Sequence, residues 1–214
     1  MQKIVIVGGG AGGLELISRL SKTLGKKGMA EITLVDRQTT HVWKPLLHEV
    51  AAGVIDKNSD GVDYQIHAAR FKYKFQLGSM SHIDPINKSI KLDSVFDSEG
   101  ELLIPERHIK YDYLVLAIGS VSNDFNTPGI SEYAYFLDSL AQAERFHKAL
   151  LNQLLKLNQV DDTQKTLNVA IVGGGATGTE LAAQLHHIAN LARSYGMPNM
   201  SAERLSISII EAGE

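Results

Sequence analysis

Lys3–Leu20 reads KIVIVGGGAGGLELISRL, and Asn168–Leu185 repeats the pattern as NVAIVGGGATGTELAAQL. At an offset of 165 residues, ten of the eighteen aligned positions are identical. Each copy has an apolar run, then a glycine cluster, then an amphipathic stretch, which predicts a strand, a tight turn and a helix. Two copies predict an α/β fold built from two Rossmann-like nucleotide-binding units. Two bound nucleotides would suit the passage of electrons from one to the other.

The glycines within each copy have separate roles. The first allows the sharp turn out of the strand, the second lets a pyrophosphate approach the backbone, and the last lets the helix pack closely on the strand. The helix N-terminus then offers N–H groups and a partial positive charge to phosphate. The residues that meet these needs are Gly8, Gly10 and Gly13 in the first copy and Gly173, Gly175 and Gly178 in the second.

An acid ends a second strand-like run after each copy. Asp36 ends EITLVD, 23 residues after Gly13, and Glu211 ends LSISIIE, 33 residues after Gly178. A carboxylate at this position binds the adenosine ribose hydroxyls and repels a 2′-phosphate, so Glu211 favours NADH over NADPH. The alternative for either acid is a solvated strand end.

Composition excludes several classes of protein. The chain has 214 residues, is 44% hydrophobic and carries a net charge of −3, which is ordinary for a globular protein and gives no indication of nucleic-acid binding. No apolar run approaches the roughly 18 residues of a membrane span, and the early first strand leaves no room for a signal peptide, so we expect a cytoplasmic location. The absence of cysteine excludes disulfide reductases, and it excludes sulfide oxidation unless cysteines lie beyond residue 214.

The order of elements predicts two units, one over residues 1–122 and one over residues 123–214. The first contains a β-meander at about residues 87–112 and the segment YDYLVLAIG at Tyr111–Gly119. Its Tyr113–Ala117 portion is predicted to be a buried strand because its apolar run is unbroken, and residues 12–26 are predicted to be a helix. The chain ends soon after Glu211, so we expect the second unit to be truncated and the chain to be an N-terminal fragment that is inactive alone.

The order of first glycine motif, Asp36, YDYLVLAIG and second glycine motif resembles the flavoprotein reductases that bind two dinucleotides. Within that family, HVWKPLLHEVAAG, SNDFNTPG, VGGGATGTELAAQLH and IIEAGE resemble the bacterial type II NADH dehydrogenases, and this resemblance covers essentially the whole chain. It implies an FAD domain with an inserted NAD domain. It also implies respiratory-chain electron transfer, in which a hydride passes from NADH to FAD and two electrons then pass to a membrane quinone, without proton pumping.

The resemblance also assigns roles to individual residues. For FAD it implies Gly8, Gly10, Gly12 and Gly13 at the pyrophosphate, Asp36 at the ribose, Arg37 and Met80 at the adenine, Lys44 and Pro45 at the flavin, and Ala117 and Gly119 along the cofactor. For NADH it implies Gly173, Gly175, Thr177, Gly178 and Glu211, with Glu180 near the nicotinamide and flavin. Ile118 replaces the threonine usual in the family, which removes a hydroxyl contact there. The resemblance implies no metal.

Two of these residues carry a second interpretation. Lys44 is equally well explained as a surface lysine. Glu180 lies in the first turn of a predicted helix, where the helix dipole favours an acid, and Glu15 holds the matching position of the first copy. The catalytic hypotheses for Lys44 and Glu180 therefore stay open at this stage.

The expected partners are a quinone and, through a region beyond residue 214, the inner face of the cell membrane. A homodimer is an open alternative, and no nucleic acid is expected. Two other functions compete with quinone reduction. One is an NADH-dependent flavoprotein reductase that serves ferredoxin or rubredoxin, which PLLHEVAAG and ATGTEL disfavour. The other is a nucleotide-sensing module without catalysis, which the doubled motif disfavours because a sensor needs only one nucleotide.

Overall fold

The strands that precede the two glycine clusters each lie in a parallel sheet, as the repeat predicts. The computed structural model describes residues 1–41, 43–54, 61–160 and 165–213, and these form two units. Unit 1 consists of Met1–Trp43 and Gly61–Ser120, and unit 2 of the described parts of Lys44–Asp60 and Val121–Glu214. The α/β fold class is confirmed.

Unit 1 contains two α-helices and eleven strands among its described residues. The helices are α1 at Ala11–Leu20 and α3 at Tyr64–Phe71. The strands are β1 at Gln2–Val7, β2 at Ala30–Asp36, β3 at Thr40–His41, β4 at Val62–Asp63, β5 at Lys74–Leu77, β6 at Met80–Asp84, β7 at Ser89–Leu92, β8 at Val95–Phe96, β9 at Leu102–Ile104, β10 at Arg107–Lys110 and β11 at Tyr113–Leu116.

The main sheet of unit 1 has the order β11-β1-β2-β5, with all neighbours parallel. Successive side chains of a strand point to opposite faces, and β1 uses both. Ile4 and Ile6 pack with the buried Ile17 of α1, whereas Val5 and Val7 pack with residues of the antiparallel strand β7. Because both faces are covered, β1 can be apolar without alternation, which explains the unbroken run KIVIV.

Antiparallel strands occupy the segment in which the sequence indicates a meander. β7 pairs with β6 on one side and with β10 on the other, and β8 pairs with β9 as a separate hairpin. Ile90 and Leu92 of β7 are fully buried against the main sheet. This small sheet therefore forms a third layer that covers one face of β1.

Unit 2 contains a parallel pair of strands and four α-helices among its described residues. The helices are α2 at Leu47–Ala52, α4 at Ile130–Tyr133, α5 at Leu140–Asn158 and α6 at Ala176–Ala192, and the strands are β12 at Leu167–Val172 and β13 at Leu205–Ile210. The register joins Leu167 to Leu205 and Val172 to Ile210. Helix α2 packs against both α5 and α6.

Helix α5 shows how local sequence fixes an element of unit 2. Ser139 accepts the amide of Gln142, and the Gln142 side chain accepts the amide of Ser139, so two of the free N–H groups of the first turn are satisfied. On its inner face Leu150, Leu154 and Leu157 are buried. The capping residues and this apolar spacing together define where the helix begins and which face it buries.

One expectation about unit 1 is confirmed in extent but not in helix type, and another is wrong. The helix expected over residues 12–26 ends at Leu20 and continues as a π-helical turn at Ser21–Gly25, where the Lys26 amide donates five residues back to the Ser21 carbonyl. The strand at Tyr113–Leu116 is half-exposed rather than buried. It forms the edge of the main sheet, and within the described residues no further strand pairs with it. An apolar run reports preference for burial, but the neighbours decide whether burial occurs.

Candidate functional site: two glycine loops

The two glycine loops adopt the same backbone geometry. The first glycine of each has a left-handed backbone, with φ of 102° at Gly8 and 106° at Gly173, which L side chains rarely adopt. The amide of each donates over 2.8 Å to the last part of the neighbouring strand, to Val35 in unit 1 and to Ile210 in unit 2. The turn expected at both glycines is therefore present.

The last glycine of each loop permits close packing of helix on turn. A Cβ on Gly13 would collide with the carbonyl oxygen of Gly8, and a Cβ on Gly178 would collide with that of Gly173. Both positions lie inside helices, where a side chain would otherwise be favourable. The glycines are thus required by the backbone that faces them.

The middle of each loop is open in the way that phosphate binding requires. A Cβ on Gly10, Gly12 or Gly175 would meet no atom within 4 Å. Helices α1 and α6 begin just after Gly10 and Gly175, and neither N-cap is satisfied by a side chain. The first-turn amides therefore face open space beside a positive helix end, and Thr177 lies exposed in the first turn of α6.

Each loop is tied to the acid that the sequence singles out. The Gly9 amide donates to Asp36 Oδ2 over 2.6 Å, and the Gly174 amide donates to Glu211 Oε2 over the same distance. Asp36 also accepts the Gln38 amide at 2.8 Å. The amide of Gly174, followed by those of Ala212 and Gly213, lowers the pKa of Glu211 below its ordinary value. Glu211 is therefore a negative charge at the loop throughout the physiological pH range.

The remaining residues assigned to FAD in unit 1 lie in three places. Ala117 follows β11, its amide donates to Val7 over 2.8 Å, and a Cβ on Gly8 would collide with its carbonyl oxygen. Gly119 is exposed with φ of 70°, and Arg37 is exposed immediately after Asp36. Met80 begins β6 and packs on the antiparallel side of the sheet. The structure thus joins Ala117 directly to the loop.

Lys44 and Pro45 lie in unit 2, in a 3₁₀ turn before α2. The Lys44 ammonium is 2.9 Å from Asp138 Oδ1, while Asp138 also accepts the amide and hydroxyl of Ser122 at 2.9 and 3.1 Å. Burial acts to raise the pKa of Asp138, but hydrogen bonds from Ser122 and Lys44 outweigh it and lower that pKa. Lys44 is therefore held by a defined partner, unlike a freely solvated surface lysine.

Glu180 stands beside a buried histidine of the same unit. Its Oε2 is 3.4 Å from Nδ1 of His48, a residue of α2 with a side chain only 7% exposed, whereas the Glu180 side chain is 53% exposed. The contact is too poorly aligned for a hydrogen bond, so this buried Nδ1 lacks a hydrogen-bond partner within the described part of the chain. Glu180 is the fifth residue of α6, so the expectation that it lies in the first turn is wrong, and the helix-dipole explanation is weaker than the sequence indicated. The contact with His48 is also one that this explanation does not require.

Three side chains that shape these sites are not indicated by any sequence motif: Tyr64, His48 and Asp138. Tyr64 is buried beneath the first loop, and its hydroxyl donates to the Gly9 carbonyl. Each of the three acts through a partner that is distant in sequence, so no local spacing indicates it. The only signal was indirect, since His48 lies within the PLLHEVAAG segment on which the family resemblance rests.

A sequence model of the pyridine nucleotide-disulphide oxidoreductase family matches residues 2–214. The chain belongs to this family. Membership fits the two tied glycine loops, and it holds although the 214 residues contain no cysteine. Among the described residues there is no group of His, Asp and Glu side chains fit to hold a metal ion. No helix in that part of the chain is long and apolar enough to cross a membrane.

The similarity to type II NADH dehydrogenases is confirmed. The chain is 45% identical to the type II NADH:quinone oxidoreductase of Haemophilus influenzae, over all of this chain and 51% of that protein. It is 29% identical to the external alternative NAD(P)H-ubiquinone oxidoreductase B4 of Arabidopsis thaliana, over all of this chain and 36% of the other. NDH2 of Plasmodium falciparum, solved in complex with NADH, superposes with a TM-score of 0.80 at 26% identity, over 100% of this chain and 42% of that one. The chain thus spans about half the length, or less, of these relatives.

Substitution of two neighbouring glycines distinguishes a glycine that close packing requires from a glycine that faces open space. Gly13→Ala places a methyl group against the Gly8 carbonyl, and we expect the free energy of unfolding to fall by about 1–3 kcal/mol. Gly12→Ala meets no atom and removes a flexible residue from α1, so we expect a gain of about 0.5–1 kcal/mol. Urea unfolding followed by circular dichroism measures both. Equal effects of the two substitutions would contradict the close-packing role of Gly13.

Asp138 should stabilise unit 2 only while it is ionised. Because its pKa in the folded chain is lowered, its contribution is fully present above its ordinary pKa of 3.8 and is lost as pH falls through the folded pKa. Asp138→Asn should therefore cost about 1 kcal/mol near neutral pH, and the difference from wild type should shrink below pH 4. Lys44→Met should cost less, because the Ser122 donors remain and Lys44 is half-exposed. Unfolding free energies measured between pH 3 and 7 give the result. A pH-independent difference would contradict the ionised role.

Proposed function

We propose that the chain is the nucleotide-binding part of an FAD-dependent NADH:quinone oxidoreductase. In this proposal residues 1–122 bind FAD and residues 123–214 bind NADH. The observation that carries the proposal is the pair of glycine loops, each open to a pyrophosphate and each tied to an acid. One such loop serves any dinucleotide, but two in one chain suit a reaction that moves electrons between a resident cofactor and a substrate.

The residues of unit 1 fit FAD. Gly10 and Gly12 leave room for the pyrophosphate, and the uncapped start of α1 supplies amides and positive potential. Asp36 is fixed at the end of β2 by the amides of Gly9 and Gln38, and its remaining lone pairs suit the two ribose hydroxyls. Arg37, Met80, Ala117 and Gly119 complete the proposed contacts.

The residues of unit 2 fit NADH. Gly175 is open, Thr177 presents a hydroxyl beside the first-turn amides, and Glu211 supplies the ribose carboxylate. Three backbone amides keep Glu211 ionised, so a 2′-phosphate placed beside it would be repelled. This charge supports a preference for NADH over NADPH.

When FAD is bound, it supplies the hydride-accepting and electron-transferring chemistry. The chain's own residues bind and orient the two nucleotides. In a flavoenzyme, binding and orientation make up most of what the protein contributes to catalysis. We propose Lys44 as the cation near the flavin, kept in place by Asp138. We propose Glu180 as a positioning or proton-handling group, supported by its buried neighbour His48.

The proposed electron acceptor is a quinone. The names of the Haemophilus and Arabidopsis relatives both specify quinone reductases, and the Haemophilus protein is similar along the entire chain. A peripheral position on the inner face of the cell membrane is a further part of the proposal, supported by the same resemblance alone, whereas a homodimer stays an open alternative. Proton pumping forms no part of it.

The proposal is tested in the protein expressed from its complete reading frame and loaded with FAD. Under anaerobic conditions NADH should bleach the flavin absorbance, NADPH should do so much more slowly, and added ubiquinone-1 should restore the colour. If only a ferredoxin or rubredoxin restores it, the acceptor is wrong and the flavoprotein assignment stands. If the protein holds no flavin, the oxidoreductase proposal is refuted and a nucleotide-sensing function takes its place.

The two acids allow a paired test of which nucleotide each unit binds. Glu211→Gln removes the charge that repels a 2′-phosphate, so the ratio of kcat/KM for NADH to that for NADPH should fall by roughly tenfold, or about 1.4 kcal/mol. Asp36→Asn should weaken FAD retention and leave that ratio unchanged. Steady-state kinetics with excess FAD and a separate FAD titration distinguish the two results. A change of pyridine nucleotide preference in the Asp36 variant would contradict the assignment of units.

A further inference from the structure

We propose that Tyr64 is a positioning residue that orients the first glycine loop for the FAD pyrophosphate. The inference rests on the proposed function, because it concerns the same cofactor. The Tyr64 hydroxyl donates to the Gly9 carbonyl over 2.7 Å, and the residue is only 2% exposed. No motif in the sequence singles out this tyrosine, which begins α3, more than fifty residues after the loop that it contacts.

Tyr64 and Asp36 together fix the two peptide groups on either side of the Gly9 Cα. The bond from the Gly9 amide to Asp36 holds the peptide between Gly8 and Gly9. The bond from Tyr64 holds the next peptide, which joins the Gly9 carbonyl to the Gly10 amide. Glycine is the most flexible residue, so a run of three glycines would otherwise sample many loop conformations. The two bonds select one of them.

The bond from Tyr64 also decides where the Gly10 amide points. The peptide between Gly9 and Gly10 is trans, so its C=O and N–H groups point in opposite directions. With the carbonyl directed at a buried hydroxyl, the Gly10 N–H is directed away from the core. A Cβ on Gly10 would meet no atom within 4 Å, so space for a phosphate oxygen exists at this residue. Tyr64 thus acts on the cofactor through the backbone.

The surroundings of Tyr64 keep its hydroxyl protonated, so that it can donate the hydrogen bond. Burial, followed by the nearby charge of Asp36 and then Tyr73, raises the pKa of Tyr64 far above its ordinary value, so the hydroxyl keeps its proton at physiological pH. The ring packs on Phe75 at 5.2 Å between centroids within the core cluster of unit 1. A Cβ on Gly9 would collide with the Tyr64 hydroxyl, so the loop can rest on this ring only if residue 9 is glycine.

The second loop provides an internal comparison. Gly174 is tied through its amide to Glu211, as Gly9 is to Asp36. Across the described residues, however, no side chain donates to the Gly174 carbonyl, whereas Tyr64 donates to that of Gly9. A loop fixed in advance loses less conformational entropy when its ligand binds. The doubly held loop therefore suits a retained cofactor, and the singly held loop suits a nucleotide that must leave in every turnover.

The test compares Tyr64→Phe with Tyr73→Phe in the protein expressed from its complete reading frame. Tyr73 is a matched control because it is also buried in the core cluster of unit 1, and its hydroxyl also makes one hydrogen bond, at 3.0 Å to His67. Each substitution removes one oxygen and keeps the ring. FAD is stripped, and the Kd for added FAD is measured by flavin fluorescence quenching, with melting temperatures recorded for both variants.

We expect Tyr64→Phe to raise the Kd for FAD roughly tenfold, as the loss of one hydrogen bond to a buried carbonyl implies. The Kd for ADP, measured by competition with FAD, should rise by a similar factor, while that for adenosine, which lacks the pyrophosphate, should stay the same. Tyr73→Phe should lower the melting temperature without changing any of these Kd values.

Four results would overturn the inference. In the first, Tyr64→Phe binds FAD as tightly as wild type, which refutes the positioning role and leaves the proposed function intact. In the second, both variants weaken FAD equally, which reduces Tyr64 to a stabilising core residue. In the third, wild type itself holds no FAD, which refutes the proposed function and the inference together. Adenosine binding that weakens as much as ADP binding would likewise exclude an action through the pyrophosphate loop.

Discussion

Both sites depend on one hydrogen bond, from the amide of the central glycine of each Gly-Gly-Gly run to the acid at the end of the neighbouring strand. It joins Gly9 to Asp36 and Gly174 to Glu211, at 2.6 Å in each unit. The bond forms only if the two parallel strands are in register, because the loop follows one strand and the acid ends the other. The register of the strands therefore determines both the conformation of the loop and the position of the negative charge. A slip of one residue would turn the acid to the opposite face of the sheet and remove the bond.

This constraint explains why the sequence alone predicts so many features of the two glycine loops and their sheets. An apolar run that enters a glycine cluster, and a second run that ends in an acid, are local signals with separate physical causes. These signals agree with one another only in a βαβ unit. Their occurrence together therefore predicts the two parallel sheets, the two turns and the two acids to which the loops are bound. The repeat added independent support, since the same pattern occurs twice with ten identities in eighteen positions.

What the sequence could not predict depends on contacts between distant segments. The Asp138 carboxylate reaches Lys44 across 94 residues, and Tyr64 reaches Gly9 across 55. Neither pair has a spacing that helical or strand periodicity can reveal. The error about Tyr113–Leu116 has a related cause, because hydrophobicity shows that a strand can be buried but not how many of its neighbours are present. Sequence patterns thus predicted elements and their order, whereas tertiary contacts decided exposure and orientation.

The two loops also show how nearly identical motifs can acquire different physical properties. Their turns have almost the same backbone, with φ of 102° at Gly8 and 106° at Gly173, and their acids make the same bond. The difference is supplied from outside the motif, by one buried hydroxyl beneath the first loop. In the proposed enzyme one nucleotide must remain bound while the other leaves after each turnover. A duplicated motif cannot meet both demands by itself, because both depend on how rigidly the loop is held. In the proposed enzyme, the fold around each loop, rather than the glycine signature, would distinguish the retained nucleotide from the exchanged one.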